Sequence, residues 1–173
     1  MELIGIFSDS NFGLRPHIRG KFRIRKAARA VVIDSQGRAV LFHSVKNKYY
    51  KLPGGGIERH EDIMTALKRE VLEETGQRIK SCKALGITIE YRSRSNILQI
   101  SFCYLASPIG IQHRPNITES EMKEGFRPEW IPIRKALRLL AHSSGGMYDG
   151  KFMVARDLSI LKAGIKKTKF RSV

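Results

Sequence analysis

The chain is short of several things. It has two cysteines in 173 residues, Cys82 and Cys103. Two thiols build no disulfide framework, and they suit a reducing compartment as ordinary packed side chains. Long apolar runs are missing too. The longest are a handful of residues, such as Leu3–Phe7, whereas a membrane-crossing helix needs about 20. Met1-Glu2-Leu3 places an acid where a secretory signal carries basic residues, so the expected location is the cytoplasm, with no membrane partner. No repeat, linker or low-complexity block divides the sequence. One domain over 1–173 is expected, with 1–19 as an N-terminal extension and 163–173 as a basic C-terminal tail.

Acids are the scarcest resource: 16 Asp plus Glu against 32 Lys plus Arg leave a formal charge of +16. The distribution is uneven. Leu14–Arg29 carries seven basic residues and no acid, and Lys162–Val173 carries five and none. Gly55–Gln77 reverses the balance, with six acids against three bases. A cationic surface draws a polyanionic ligand, and the acidic window is set aside for a local task.

Hydrophobic patterning locates the elements. Lys21–Arg25 alternates polar and apolar residues and reads as a strand. Ala28–Ile33 and Arg38–His43 are apolar runs around the turn Asp34-Ser35-Gln36-Gly37, which predicts a hairpin. Tyr49–Leu52 is extended, and Gly54-Gly55-Gly56 follows Pro53. Asp62 is a candidate N-cap for a helix over Ile63–Thr75 that stops at Gly76. Ala84–Tyr91 and Asn96–Ala106 are further strands, and Pro108–Pro115 a loop. Trp130–Ile133 is extended, Arg134–Ala141 an amphipathic helix, 142–150 a glycine-rich connection and Arg156–Lys167 a last helix. Strands around one long helix place the fold in the α+β class or an α/β/α sandwich.

The helix carries the chemistry. At about 100° per residue from Ile63, Ala66, Leu67 and Val71 form one apolar stripe. Glu70, Glu73 and Glu74 fall near 340°, 280° and 20° on the same count, continuing that stripe, where solubilising acids would not sit. Three carboxylates so close repel one another, and some would stay protonated without a counter-charge. A hard dication such as Mg²⁺ resolves the conflict, because it takes oxygen ligands and couples carboxylates to phosphates. The glycine backbone just upstream can approach the same spot.

Gly55, Glu61, Arg69, Glu70, Val71, Glu73, Glu74 and Gly76 fit the pattern G-x5-E-x7-R-E-U-x-E-E-x-G-U, where U is a bulky aliphatic. This resembles the signature of the Nudix hydrolases, which cleave nucleoside diphosphates linked to another group. All fixed letters match; the final U is Gln77. The resemblance extends over roughly residues 20–162 and implies an α/β/α sandwich with a mixed sheet and the box as loop-helix-loop. It implies that Glu70, Glu73 and Glu74 bind divalent cations, Mg²⁺ or alternatively Mn²⁺, with the Gly55 carbonyl as a further ligand. Glu61 and Arg69 would brace the loop. The base would be a box glutamate, Glu70 first, or one of Glu119, Glu121 and Glu124, whose other reading is as solvated loop acids. Within that family a proline shortly beyond the box accompanies ADP-ribose hydrolysis, and Arg92 and Ser93 stand there. Nucleoside triphosphates, including oxidised ones, are therefore the first expected substrates. Two other readings follow from the residues. One is action on the 5′ end of RNA, suggested by Arg15–Arg29 and Lys162–Arg171. The other is a nucleotide-binding regulatory module without turnover. The oligomeric state is open, a homodimer included.

Overall fold

A computed structural model of the protein describes residues 1–143 and 147–169. The chain runs through β1 (Leu3–Ser8), β2 (Arg23–Val32), β3 (Arg38–Ser44), β4 (Tyr49–Lys51) and β5 (Gly54–Gly56) into α1 (Ile63–Thr75). β6 (Arg78–Arg92), β7 (Ile97–Ile109), α2 (Glu119–Lys123), β8 (Phe126–Pro132), α3 (Ile133–His142) and α4 (Tyr148–Lys169) complete it. Five strands form one sheet in the order β1-β6-β7-β2-β5, and three form a second, β4-β3-β8. β1 with β6 and β2 with β7 run parallel, while the other pairs are antiparallel, so the larger sheet is mixed.

Alternation along β2 builds both cores. Ala28, Ala30 and Val32 pack with Ala66, Leu67 and Val71 of α1. Val31, on the opposite face, packs with Leu52, Cys103, Ile160 and Leu161 on the α4 side. Helices thus cover both faces of the sheet, as the α/β/α expectation required.

The hairpin expectation needs correcting. The turn itself forms: the Asp34 amide donates to the Arg38 carbonyl at 3.0 Å, and a single bridge joins Ile33 to Ala39. Beyond it β2 and β3 part into different sheets. Both edges of β2 are already taken, by β7 and β5, and Ala27–Val32 are buried throughout, so β3 pairs with β4 and β8 instead. Lys21–Arg25 and Ala28–Ile33, read as separate runs, form one continuous strand. The extension expected over 1–19 begins inside the sheet, because Leu3–Ser8 pairs with β6. α4 carries the expected basic tail as helix to Lys169. Of the glycine-rich connection, residues 144–146 lie outside the described residues, as do residues 170–173 of the tail. Among the described residues no helix is long and apolar enough to cross a membrane.

α1 has the predicted bounds for the predicted reasons. Asp62 Oδ1 accepts from the Met64 and Thr65 amides at 2.8 and 3.0 Å, meeting donors left free at the first turn. Gly76 ends the helix at φ 68°, a conformation that glycine adopts without strain. Gln77, the departure from the aliphatic letter, is buried with its amide donating to the Arg78 and Ile109 carbonyls at 3.1 and 3.0 Å. Satisfied polar contacts there replace apolar packing.

Candidate active site

The site forms where α1 meets the glycine strand β5. β5 pairs with β2, setting Gly54, Gly55 and Gly56 opposite Arg29, Ala28 and Ala27. Two glycines are demanded by close approach. A Cβ on Gly54, whose φ is +133°, would run into the Ala28 carbonyl oxygen; one on Gly55 would fall on the Glu70 carboxylate oxygens. The glycines therefore let bare backbone lie against the acids of α1.

Each box glutamate has a distinct setting. Glu74 is 5% exposed. Its Oε2 accepts the Gly54 amide at 2.8 Å, and its Oε1 lies 2.8 Å from Lys51 Nζ. Glu70 rests against Gly55. Burial, and then the adjacent Glu74, push its carboxyl above the usual range, with Arg69 pulling the other way. Glu73, more open, reaches the same Arg69 Nη1 as Glu70, each at 3.1 Å. Arg69 also forks onto Glu61 at 2.9 and 3.0 Å and donates to the Gly56 carbonyl at 3.1 Å. One guanidinium thus joins helix, loop and glycine strand, a planar geometry lysine cannot copy.

Part of the counter-charge assigned to a dication is supplied by the protein. Arg69 holds Glu70 and Glu73, Lys51 holds Glu74, and among the described residues no three acidic, histidine or cysteine groups converge on one point at metal-ligand geometry. The donor set still fits a hard divalent cation. Three carboxylates stand on one helical face within five residues, and the Gly55 backbone borders Glu70 with no side chain between them.

The later acids separate. Glu121 reaches the site: its Oε1 is 3.6 Å from Lys51 Nζ while its Oε2 caps Thr118. Glu124 turns to Asn47 at 3.1 Å, and Glu119 stays exposed.

Sequence reasoning missed four cations and two acids behind the site. Lys51 Nζ sits 4.9 Å from the ring centroids of both Phe42 and Phe126. Arg29 is buried and donates from Nη1 to the Gly54 carbonyl; burial lowers its pKa to about 10, which leaves it charged at neutral pH. Arg156 is paired with Asp157 at 2.7 Å and Glu90 at 3.3 Å, and Arg92 with Glu90 at 2.8 Å. Asp157 Oδ2 in turn accepts the Leu52 amide at 2.9 Å, tying α4 to the chain entering the glycines. Arg29 lies in the basic run of the sequence, but nothing in that run distinguishes an inward arginine from a surface one.

The far end of α1 is held by the segment after β7. The Asn116, Gln112 and His113 groups donate to the Glu73, Thr75 and Gly76 carbonyls at 2.8, 2.8 and 2.7 Å. Two cavities of about 690 and 420 Å³ flank this segment and share Arg114 and Asn116; Glu73 lines the smaller.

The NUDIX domain profile matches residues 23–149. A MutT-like protein of Streptomyces ambofaciens is 28% identical, across 72% of this chain and 83% of the relative. Among solved structures, a NUDIX hydrolase from Nitrosomonas europaea superposes with a TM-score of 0.61 at 20% identity, over 82% of this chain and 90% of that one. A MutT NUDIX hydrolase from Burkholderia pseudomallei gives 0.53 at 19% identity, over 65% and 85%.

Proposed function

The chain belongs to the NUDIX family of hydrolases, and from that premise we propose that it cleaves the pyrophosphate bond of nucleoside triphosphates, oxidised ones included, using Mg²⁺ held by Glu70, Glu73 and Glu74. The observation that carries this reading is the seating of these glutamates against side-chain-free backbone, with Glu74 on the Gly54 amide and Glu70 against Gly55. The glycines leave bare backbone beside two of the three carboxylates.

Glu70, Glu73 and Glu74 would hold the cation, and the Gly55 carbonyl would offer a further oxygen. When bound, the cation supplies positive charge against the anionic diphosphate oxygens. The protein groups do the rest. Glu74 fixes the glycine strand through the Gly54 amide. Arg69 and Glu61 hold loop and helix in register. Glu70 takes the proton from the attacking water, its carboxyl held above the usual carboxylate range by burial and by Glu74. Glu121, next to Lys51, is the alternative base.

The test is incubation with a panel of nucleoside triphosphates, with and without Mg²⁺, following release of phosphate or pyrophosphate. Mg²⁺-dependent release by the native protein and loss of about 10²–10³ in kcat for Glu73→Gln support the reading. A Glu73→Gln protein of full activity defeats it.

A second reading, action on the 5′ end of RNA, is favoured by one observation. Arg15, Arg19, Lys21 and Arg23 all stand exposed ahead of β2. RNA affinity that does not fall with added salt counts against it.

A further inference from the structure

The buried and half-buried arginines around the site are not equally provided for. Arg69, Arg92 and Arg156 each have carboxylate partners. Arg25 and Arg29, two turns of the pleat apart on one face of β2, have none within ion-pair distance among the described residues. Arg29 is fully enclosed and its Nε has no hydrogen-bond partner. Arg25 is half-buried, and among the described residues its only side-chain hydrogen bond goes to a neutral acceptor, Gln99 Oε1, at 2.7 Å. Gln99 is itself wholly buried and turned that way because its amide donates to Glu90.

An uncompensated cation in a low-dielectric setting is expensive, and the neighbours make it more so. Burial disfavours the charge of Arg25, and Arg92 and Arg156 repel it, while Glu70 and Glu90 offset part of that. Counting Arg25, Arg29, Arg92 and Arg156 against Glu90, Asp157 and Asp149, which pairs with Arg92 at 3.4 Å, the cluster is one charge positive. Its open end is at Arg25, beside the glycine strand: a Cβ on Gly56 would lie 3.5 Å from Arg25 Nη2. Glu70 is near enough to act on Arg25 electrostatically. A guanidinium with no carboxylate partner, one nitrogen on Gln99 and another beside Gly56, therefore stands next to the glycine strand.

We propose that Arg25 binds a phosphate beyond the two whose linkage is cleaved, so that this protein selects a linear triphosphate chain over a diphosphate linked to a sugar. A diphosphate is already matched by a carboxylate-held cation. A further unpaired arginine is matched only by a further anion, which the fork engages through two parallel hydrogen bonds. Arg29 acts behind it as a positioning residue, through the Gly54 carbonyl. The inference rests on the hydrolase reading above for the identity of the first two phosphates. Triphosphate chains occur on free nucleotides and on RNA 5′ ends, and the chemistry at Arg25 is the same for both.

The experiment compares native protein, Arg25→Lys and Arg25→Met in two measurements. The first is calorimetric binding of inorganic tripolyphosphate and of pyrophosphate, in Mg²⁺. The second is kcat and KM for a nucleoside triphosphate, a 5′-triphosphorylated oligonucleotide and a nucleoside diphosphate sugar. Arg25→Met is expected to weaken tripolyphosphate binding and raise triphosphate KM by about 10- to 100-fold. Pyrophosphate affinity and diphosphate-sugar KM should stay within about 3-fold on the same reasoning, and Arg25→Lys should recover part of the loss. Whichever triphosphate has the lower KM is the better source, and a KM rise for either supports the inference. Unchanged tripolyphosphate binding in Arg25→Met overturns it, as does equal loss for both inorganic ligands. If tripolyphosphate binds through Arg25 but no compound is turned over, the contact stands and the hydrolase reading falls. If only diphosphate sugars are cleaved, indifferent to Arg25, the hydrolase reading stands and this inference falls.

Discussion

Lys51 Nζ lies 2.8 Å from Glu74 Oε1, while the other oxygen of that carboxylate holds the Gly54 amide. The ammonium is pinned in turn by Glu121 and by two aromatic faces. It neutralises the most enclosed box glutamate, and so competes with any metal that uses it. Lys51→Met should lower the melting temperature in metal-free buffer, because a buried carboxylate loses its partner at about 3–5 kcal/mol. Added Mg²⁺ should then raise the melting temperature of the variant by more than that of the native protein. Thermal scans with and without Mg²⁺ read this directly, and equal shifts in the two proteins would refute it.

The adjacent glycines should respond differently to the same added methyl. In Gly54→Ala the Cβ meets fixed backbone at Ala28 and Arg29, at a φ of +133°. The expected cost is more than about 2 kcal/mol of stability. In Gly55→Ala the Cβ meets the far end of the Glu70 side chain, which can swing away. That variant should melt close to the native temperature but lose activity by about 10²-fold, as displaced electrostatic groups do. Chemical denaturation alongside turnover separates the two cases.

Glu90 sets an acid limit. Burial favours its neutral form, but Arg156 and Arg92 outweigh that and hold the carboxyl below its ordinary 4.5. A folded-state pKa below the unfolded one contributes stability above the unfolded value, and that contribution fades as pH falls through the folded one. Unfolding free energy should therefore drop below about pH 4.5, and Glu90→Gln should flatten that limb while lowering stability at pH 7. Urea melts from pH 3 to 8 provide the measurement. An unchanged acid limb in the variant would assign it to other groups.

The two thiols should be unequal. Cys103 is fully buried, and burial pushes it up to about 12. At pH 8 the thiolate is roughly one part in ten thousand. Cys82 is half-buried and less perturbed. Titration with a chromogenic disulfide on the native protein should label Cys82 slowly and Cys103 only after denaturation.

Legibility in the sequence followed the range of the interactions. α1 was readable to the residue because its start, stripe and stop are local: Asp62, the apolar period and Gly76. The box glutamates were readable because their spacing is itself the signal. The parting of β2 from β3 was not, since it depends on β7 and β5 occupying the edges of β2 first. Lys51 was hidden because its partners, Glu74 and Glu121, come from separate segments. The Arg156–Glu90 pair joins residues 66 positions apart, and no local pattern announces it. Among Glu119, Glu121 and Glu124, only the turn capped by Thr118 decides which acid faces inward.

The hydrogen bond from Leu52 to Asp157 spans 105 residues. During synthesis, every box glutamate on α1 emerges from the ribosome long before the helix that anchors the chain entering the glycines. A nascent chain can therefore assemble the helix but not fix the loop opposite it until Asp157 has been made. Loss of α4 should accordingly weaken the protein without touching a single signature residue.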